Sequence, residues 1–90
     1  MVNSVYEIRY CKQAQKDIKC LKEANLAKNA KNLIEIIREN PYESPPPFEK
    51  LKGELTGVFS RRINRQHKII YKVDKERKAV IIIRMWTHYE

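Results

Sequence analysis

A handful of side chains in the second half of the chain could move protons and hold a phosphate. Glu49 is a candidate general base, and His88, an imidazole that titrates near neutral pH, is a candidate general acid. Lys52, Arg61, Arg62 and Lys68 offer cations that could offset charge building on a phosphate during transfer. Trp86 and Tyr89 offer ring faces on which a nucleobase could stack. Such a set suits RNA cleavage. The 2′-hydroxyl gives its proton to a carboxylate and attacks the adjacent phosphorus, and the departing 5′-oxygen takes a proton from imidazolium. Other chemistries lack their residues. The glycines are Gly53 and Gly57, too few for a phosphate-cradling loop, and Ser60 has no nucleophile-elbow context. His67 and His88 stand far apart, and the cysteines pair with neither at metal-ligand spacing. The expectation is therefore chemistry with no metal and no cofactor.

Each of these residues also has a plainer reading. Glu49 alone is a solvated loop carboxylate, and a histidine near a terminus is more often inert than not. Arg61 shares the face of Phe59 and Ile63 by strand alternation, so it would cover a sheet edge or meet a carboxylate. His67 points to the core face opposite Ile63. Trp86 follows an apolar run, and Tyr6, Tyr10 and Tyr71 fall on core faces.

The elements that must position the set centre on 58–73, VFSRRINRQHKIIYKV, which reads as two strands joined by a turn at Asn64-Arg65-Gln66. In the second strand His67, Ile69, Tyr71 and Val73 alternate with Lys68, Ile70 and Lys72. A three-residue loop pairs Ile63 with His67, Arg62 with Lys68 and Phe59 with Tyr71. Like charges directly opposite are destabilising, so Arg62 against Lys68 suggests an anion between them. Upstream, Val5 to Tyr10 alternates as a strand, and from Lys12 the period becomes helical, with Ala14, Ile18 and Leu21 in one stripe. Asn25 is placed to cap a second helix striped by Leu26, Ala30, Leu33, Ile34 and Ile37, which Asn40-Pro41 stops. Pro41 to Pro47 is a stiff connector, and Phe48 to Gly57 reads as an ordered loop or single turn. After a polar turn at Asp74 to Lys78, the apolar run from Ala79 to Trp86 is a last strand.

The fold expected is α+β: a small antiparallel sheet in the order β-α-α-β-β-β, with two N-terminal helices on one face and residues 1–90 forming one domain. The other face, carrying Arg62, Lys68 and Lys72, is left open. Ninety residues with a formal net charge of +8 point to an anionic partner: nucleic acid, an anionic surface or an acidic protein. Cys11 and Cys20 are too few and too close in sequence for a disulfide framework, which fits a reducing compartment. No apolar run has transmembrane length and no signal-peptide pattern is present, so the expected location is the cytoplasm, with no membrane partner.

The run Phe48-Glu49-Lys50-Leu51-Lys52-Gly53-Glu54-Leu55-Thr56-Gly57, then Val58-Phe59-Ser60-Arg61-Arg62-Ile63, then His67-Lys68-Ile69-Ile70-Tyr71, and the terminal His88-Tyr89 resemble the Txe/YoeB toxins of the RelE superfamily. That pattern reads E-x-L-K-x-x-L-x-G, W/F-S-R-R-I, H-R-L-V-Y and a closing H-Y. It covers the second half of the chain closely and the first half only in element order and the Asn-Pro break. The resemblance implies a ribosome-dependent, metal-independent mRNA endonuclease. It also implies a cognate acidic antitoxin, and a toxin–antitoxin complex that binds operator DNA. By position, Glu49 would be the general base and His88 the general acid. Lys52, Arg62 and Lys68 would contact the phosphate and its transition state, and Tyr89 would stack on or position a base. Arg61 and Lys72 would be further RNA contacts. Lys68 stands where the pattern usually has arginine, keeping the charge without the bidentate fork. Phe59 replaces the commoner tryptophan, and Glu90 follows the usual last tyrosine. Two other classes stay open: a non-catalytic relative poisoning a protein such as gyrase, and a basic RNA-binding module.

Overall fold

Alternation ending at Tyr10 and the change of period at Lys12 become the first strand, β1 (Glu7–Tyr10), and the first helix, α1 (Lys12–Glu23). The computed structural model describes residues 5–44, 48–50 and 57–85. The second helix, α2 (Ala27–Glu39), buries Ala30, Ile34 and Ile37, and α1 buries Ala14, Asp17 and Leu21. These stripes meet Phe59, Ile63, Ile69, Tyr71, Val80 and Ile82 in one core, so both helices cover the same sheet face. Among the described residues no helix is long and apolar enough to cross a membrane.

The turn between the helices departs from expectation. Asn25 makes no side-chain cap for α2, whose first flanking residue is Leu26. It sits instead in the left-handed region, at φ 60°, and terminates α1. Its N–H donates to the Lys22 carbonyl at 3.2 Å, and the Leu26 N–H donates to the Leu21 carbonyl at 2.8 Å. That pair of bonds is a Schellman motif, and Leu21 and Leu26 in the same core supply its apolar contact. Asparagine suits both roles, and the burial of Leu26 decides between them.

The remaining strands are β2 (Glu49–Lys50), β3 (Val58–Arg62), β4 (Lys68–Asp74) and β5 (Ala79–Arg84), and the sheet order is β1-β5-β4-β3-β2. The α+β class and the one-sided helices are as the sequence indicates. The sheet is not wholly antiparallel, however. β1 runs parallel to β5, with Glu7 opposite Ala79 and Tyr10 opposite Ile82. The long helical crossover brings the chain back in the same direction, which a hairpin cannot do. β5 thus lies inside the sheet between β1 and β4, which explains its near-continuous apolar run. The sheet also gains β2 where a loop was expected, paired with β3 through Glu49 opposite Ser60 and Lys50 opposite Phe59.

The hairpin has the register read from its turn: Arg62 opposite Lys68 and Phe59 opposite Tyr71. The Ile63 N–H donates to the His67 carbonyl at 2.8 Å. Asn64 closes the turn by accepting the N–H groups of Gln66 and His67 at 2.9 and 2.8 Å. His67 is buried, as its face predicted. Cys11 and Cys20 are free thiols.

Candidate active site

The face of the sheet away from the helices collects the cations. Arg62 and Lys72 are exposed there, and Lys68 lies between them on β4. Glu49 joins them. Phe48 turns toward the core, its ring centroid 5.7 Å from that of Phe59, so alternation sends the next side chain to the opposite face. Glu49 Oε1 lies 4.0 Å from Lys68 Nζ, with the two side chains 74% and 24% exposed. Between β2 and β4 stands Ser60, small and buried, paired with both Glu49 and Ile70. Two long side chains can therefore close over it. The anion anticipated for the Arg62–Lys68 pair thus has an internal counterpart, a carboxylate from the neighbouring edge strand.

On this face Glu49, Arg62 and Lys72 are exposed, while Ser60 and Ile70 are buried. A carboxylate this exposed can meet a ligand, and Lys68 beside it, with Arg62 opposite Lys68, can hold a phosphate and stabilise charge as it develops. Of the residues expected at the site, Glu49, Arg62, Lys68 and Lys72 share this face. Lys52, Trp86, His88 and Tyr89 lie outside the described residues.

Arg61 does not join the face, and its expectation as an RNA contact is corrected. It is 1% exposed on the helix side. Nη2 donates to the carbonyls of Pro41 at 3.1 Å and Glu43 at 2.7 Å, and Nε donates to the Tyr71 hydroxyl at 3.1 Å. The Tyr71 hydroxyl donates in turn to the Pro41 carbonyl at 2.9 Å. Burial pushes the Tyr71 phenol above its ordinary value, and the adjacent Arg61 guanidinium offsets part of that rise. The phenol therefore keeps the proton it donates. A charge buried this way is tolerated because its donors are satisfied by fixed acceptors.

Asp17, a carboxylate within α1, is 3% exposed. Its Oδ2 accepts from Arg84 Nε at 3.0 Å and from the Met85 N–H at 2.9 Å, and Oδ1 accepts from Gln13 Nε2 at 3.3 Å. It thereby fastens α1 to the end of β5. A signal was present: Asp17 is three residues after Ala14 and four before Leu21, which is the spacing of the buried stripe.

With this geometry in hand, the chain can be set beside known proteins. Residues 10–89 match the family described as the YoeB-like toxin of bacterial type II toxin–antitoxin systems. The chain is similar to Toxin YoeB of Synechocystis sp., 36% identical over 76 residues covering 84% of this chain and 79% of that relative. Toxin YoeB of Streptomyces coelicolor is 32% identical over 80 residues, covering 89% and 86%. Among solved structures, the YoeB dimer from Staphylococcus aureus superposes with a TM-score of 0.79 at 33% identity, covering 93% of this chain and 98% of that one. The YoeB–YefM complex from the same organism gives 0.77 at 34%, with the same coverage. The YoeB/ParE toxin from Agrobacterium tumefaciens shares the fold, with a TM-score of 0.82 at 24% identity over 92% of this chain and 99% of that one. Sequence motif, sheet order and family match agree: the chain belongs to the YoeB-like family of toxins from bacterial type II toxin–antitoxin systems.

Proposed function

We propose that this toxin is an endoribonuclease that cuts mRNA on the ribosome by metal-independent acid–base catalysis and so stops translation. The observation that carries the reading is Glu49 set 4.0 Å from Lys68, on the same open face as Arg62, in a chain of this family. Glu49 takes the 2′-hydroxyl proton. The freed oxygen attacks the adjacent phosphorus, and the bond to the 5′-oxygen breaks. His88 protonates that leaving oxygen, which gives a 2′,3′-cyclic phosphate and a free 5′-hydroxyl. Arg62, Lys68 and Lys52 offset the charge that grows on the phosphoryl oxygens. Lys72 holds the strand by a neighbouring phosphate, and Tyr89 stacks on a base.

A flat face explains the need for the ribosome. In-line attack requires the 2′-oxygen, phosphorus and 5′-oxygen to be aligned, and orientation of this kind is worth many orders of magnitude in rate. Glu49 is 74% exposed, so among the described residues its surroundings give RNA little wall to lie against. The ribosomal A site supplies that wall and presents the mRNA already stretched. The protein's own regulator is an acidic antitoxin, drawn by the +8 charge and covering the basic face, and the pair binds operator DNA. A YoeB relative has been solved with YefM as its partner.

The deciding experiment presents the purified toxin with mRNA, free and on translating ribosomes, with and without EDTA. Cleavage on ribosomes that survives EDTA and ends in a cyclic phosphate is expected. Equal rates on free RNA would remove ribosome dependence, and no cleavage on ribosomes would remove the nuclease reading.

A further inference from the structure

Glu49 lies on β2, at the edge of the sheet as described, with a ladder to β3 on one side. Among the described residues β2 is an edge strand, paired with β3 through Glu49 opposite Ser60 and Lys50 opposite Phe59. Contacts outside the ladder also reach this strand, and the surroundings of Arg61 supply them.

Arg61 follows Ser60, the residue opposite Glu49, and its side chain leaves β3 on the other face. There it grips the chain on both sides of the proline tract. Before the tract, Nη2 donates to the Pro41 and Glu43 carbonyls at 3.1 and 2.7 Å. After it, the Phe48 ring sits 5.0 Å from the guanidinium carbon. Tyr71 braces the same point, accepting from Arg61 Nε at 3.1 Å and donating to the Pro41 carbonyl at 2.9 Å. Phe48 and Tyr42 both pack edge-on against Phe59, at 5.7 and 5.5 Å between ring centroids. The next residue after Phe48 is Glu49.

We infer that Arg61 is a positioning residue for cleavage: acting from the core side of the sheet, it holds Phe48, and through it Glu49, against the face where RNA lies. A filler of the same volume would need no charge, because apolar side chains pack such a space at lower desolvation cost. What the guanidinium adds is direction. Its planar fork reaches two carbonyls and a hydroxyl at once, which an ammonium on a thinner stem cannot reproduce. The inference rests on the nuclease reading for its effect on rate, and on geometry alone for its effect on β2.

The test compares Arg61→Lys, and Tyr71→Phe as the milder variant, with the parent toxin. Turnover is measured on mRNA-programmed ribosomes, and amide hydrogen exchange at Glu49 and Lys50 is measured by NMR. Positioning predicts that kcat falls on the order of 10²-fold for Arg61→Lys, as small misplacements of reacting groups do, while KM for the ribosome complex is unchanged. Exchange at Glu49 and Lys50 should rise while exchange in β5 does not. A double-mutant cycle adds the discriminating readout: on a Glu49→Gln background, Arg61→Lys should cost almost nothing further, because the base it positions is already gone. An equal loss on both backgrounds would overturn the inference, as would an active Arg61→Lys toxin or unchanged exchange at β2. Should the parent toxin fail to cleave, the nuclease reading falls, and exchange at β2 alone still decides whether Arg61 holds the strand.

Discussion

Replacing Asp17 by alanine removes the carboxylate that fastens α1 to the end of β5, and the structure sets the size of the loss. Its Oδ2 receives two hydrogen bonds, from Met85 N–H at 2.9 Å and Arg84 Nε at 3.0 Å. Met85 is 3% exposed, so its amide would be left buried without this acceptor, which costs about 1–3 kcal/mol. The Arg84 side chain is 41% exposed, so water can take up much of its charge, and its share falls to roughly 0–1 kcal/mol. The sum is about 1–4 kcal/mol, a large part of the roughly 5–15 kcal/mol typical of a domain. A chain of this size loses about 4–8 °C of melting temperature per kcal/mol, so a drop of roughly 4–30 °C is expected. Asp17→Asn keeps an oxygen for the Met85 amide and should cost only about 1 kcal/mol. Urea unfolding of both variants, followed by circular dichroism, measures the difference. Equal midpoints for Asp17→Asn and Asp17→Ala would refute the reasoning, since the buried amide would then not carry the energy.

The remaining predictions concern the face, the tail, a turn and alkaline pH. Arg62→Gln relieves a like-charge pair with Lys68, so stability should hold or rise by about 0.2–1 kcal/mol while ribosomal cleavage drops steeply; a variant that unfolds would show that Arg62 serves the fold. Deleting Thr87 to Glu90 should leave a folded toxin that still binds its antitoxin but cleaves about 10²–10⁴-fold more slowly, most of which His88→Gln alone should reproduce; a truncated toxin with full activity would remove His88 from the mechanism. Asn25 at φ 60° tolerates glycine, whereas Asn25→Ala should lower stability by about 1–2 kcal/mol in thermal melts; an alanine variant as stable as the parent would contradict the left-handed cap. The buried Tyr71 phenol holds its proton more tightly folded than unfolded, so its contribution is complete below about pH 10 and is lost as pH climbs through the raised folded value; Tyr71→Phe should flatten that part of the alkaline stability profile.

What could be read beforehand was what local residues decide. The β3–β4 hairpin was legible because a turn trio and alternating side chains fix its register within a few residues. The helical stripes were legible for the same reason. β2 was not, because two residues carry no period and its partner lies across a turn. The parallel pairing of β1 with β5 was not, because nothing local distinguishes a neighbour reached by a long crossover from one reached by a hairpin. Arg61 shows the limit at the site. Alternation placed it on the core face, while the family motif drew it toward RNA. Its true partners are backbone carbonyls of Pro41 and Glu43, groups that every residue has and no sequence marks. Glu49, Arg62, Lys68 and Lys72 shared a face in the structure because the hairpin register was right and β2 extended the same pleat.

The parallel pairing of β1 with β5 bears on how the toxin comes into being. Ala79 pairs with Glu7, and Arg84 meets Asp17 across 67 residues, so β5, an interior strand, is made long after the elements it joins. Closing loops of that span is slow beside local helix formation, and the nascent chain has no partner for β4's second edge until β5 emerges. Before then α1 and α2 have little sheet to cover, and the edge strand bearing Glu49 has no finished β3–β4–β5 platform behind it. A chain released early, short of Ala79, would lack β5, the strand that joins β4 to β1, and with it the support behind the basic face. A protein whose proposed work is to halt translation thus becomes able to do it only once β5 has left the ribosome that makes it.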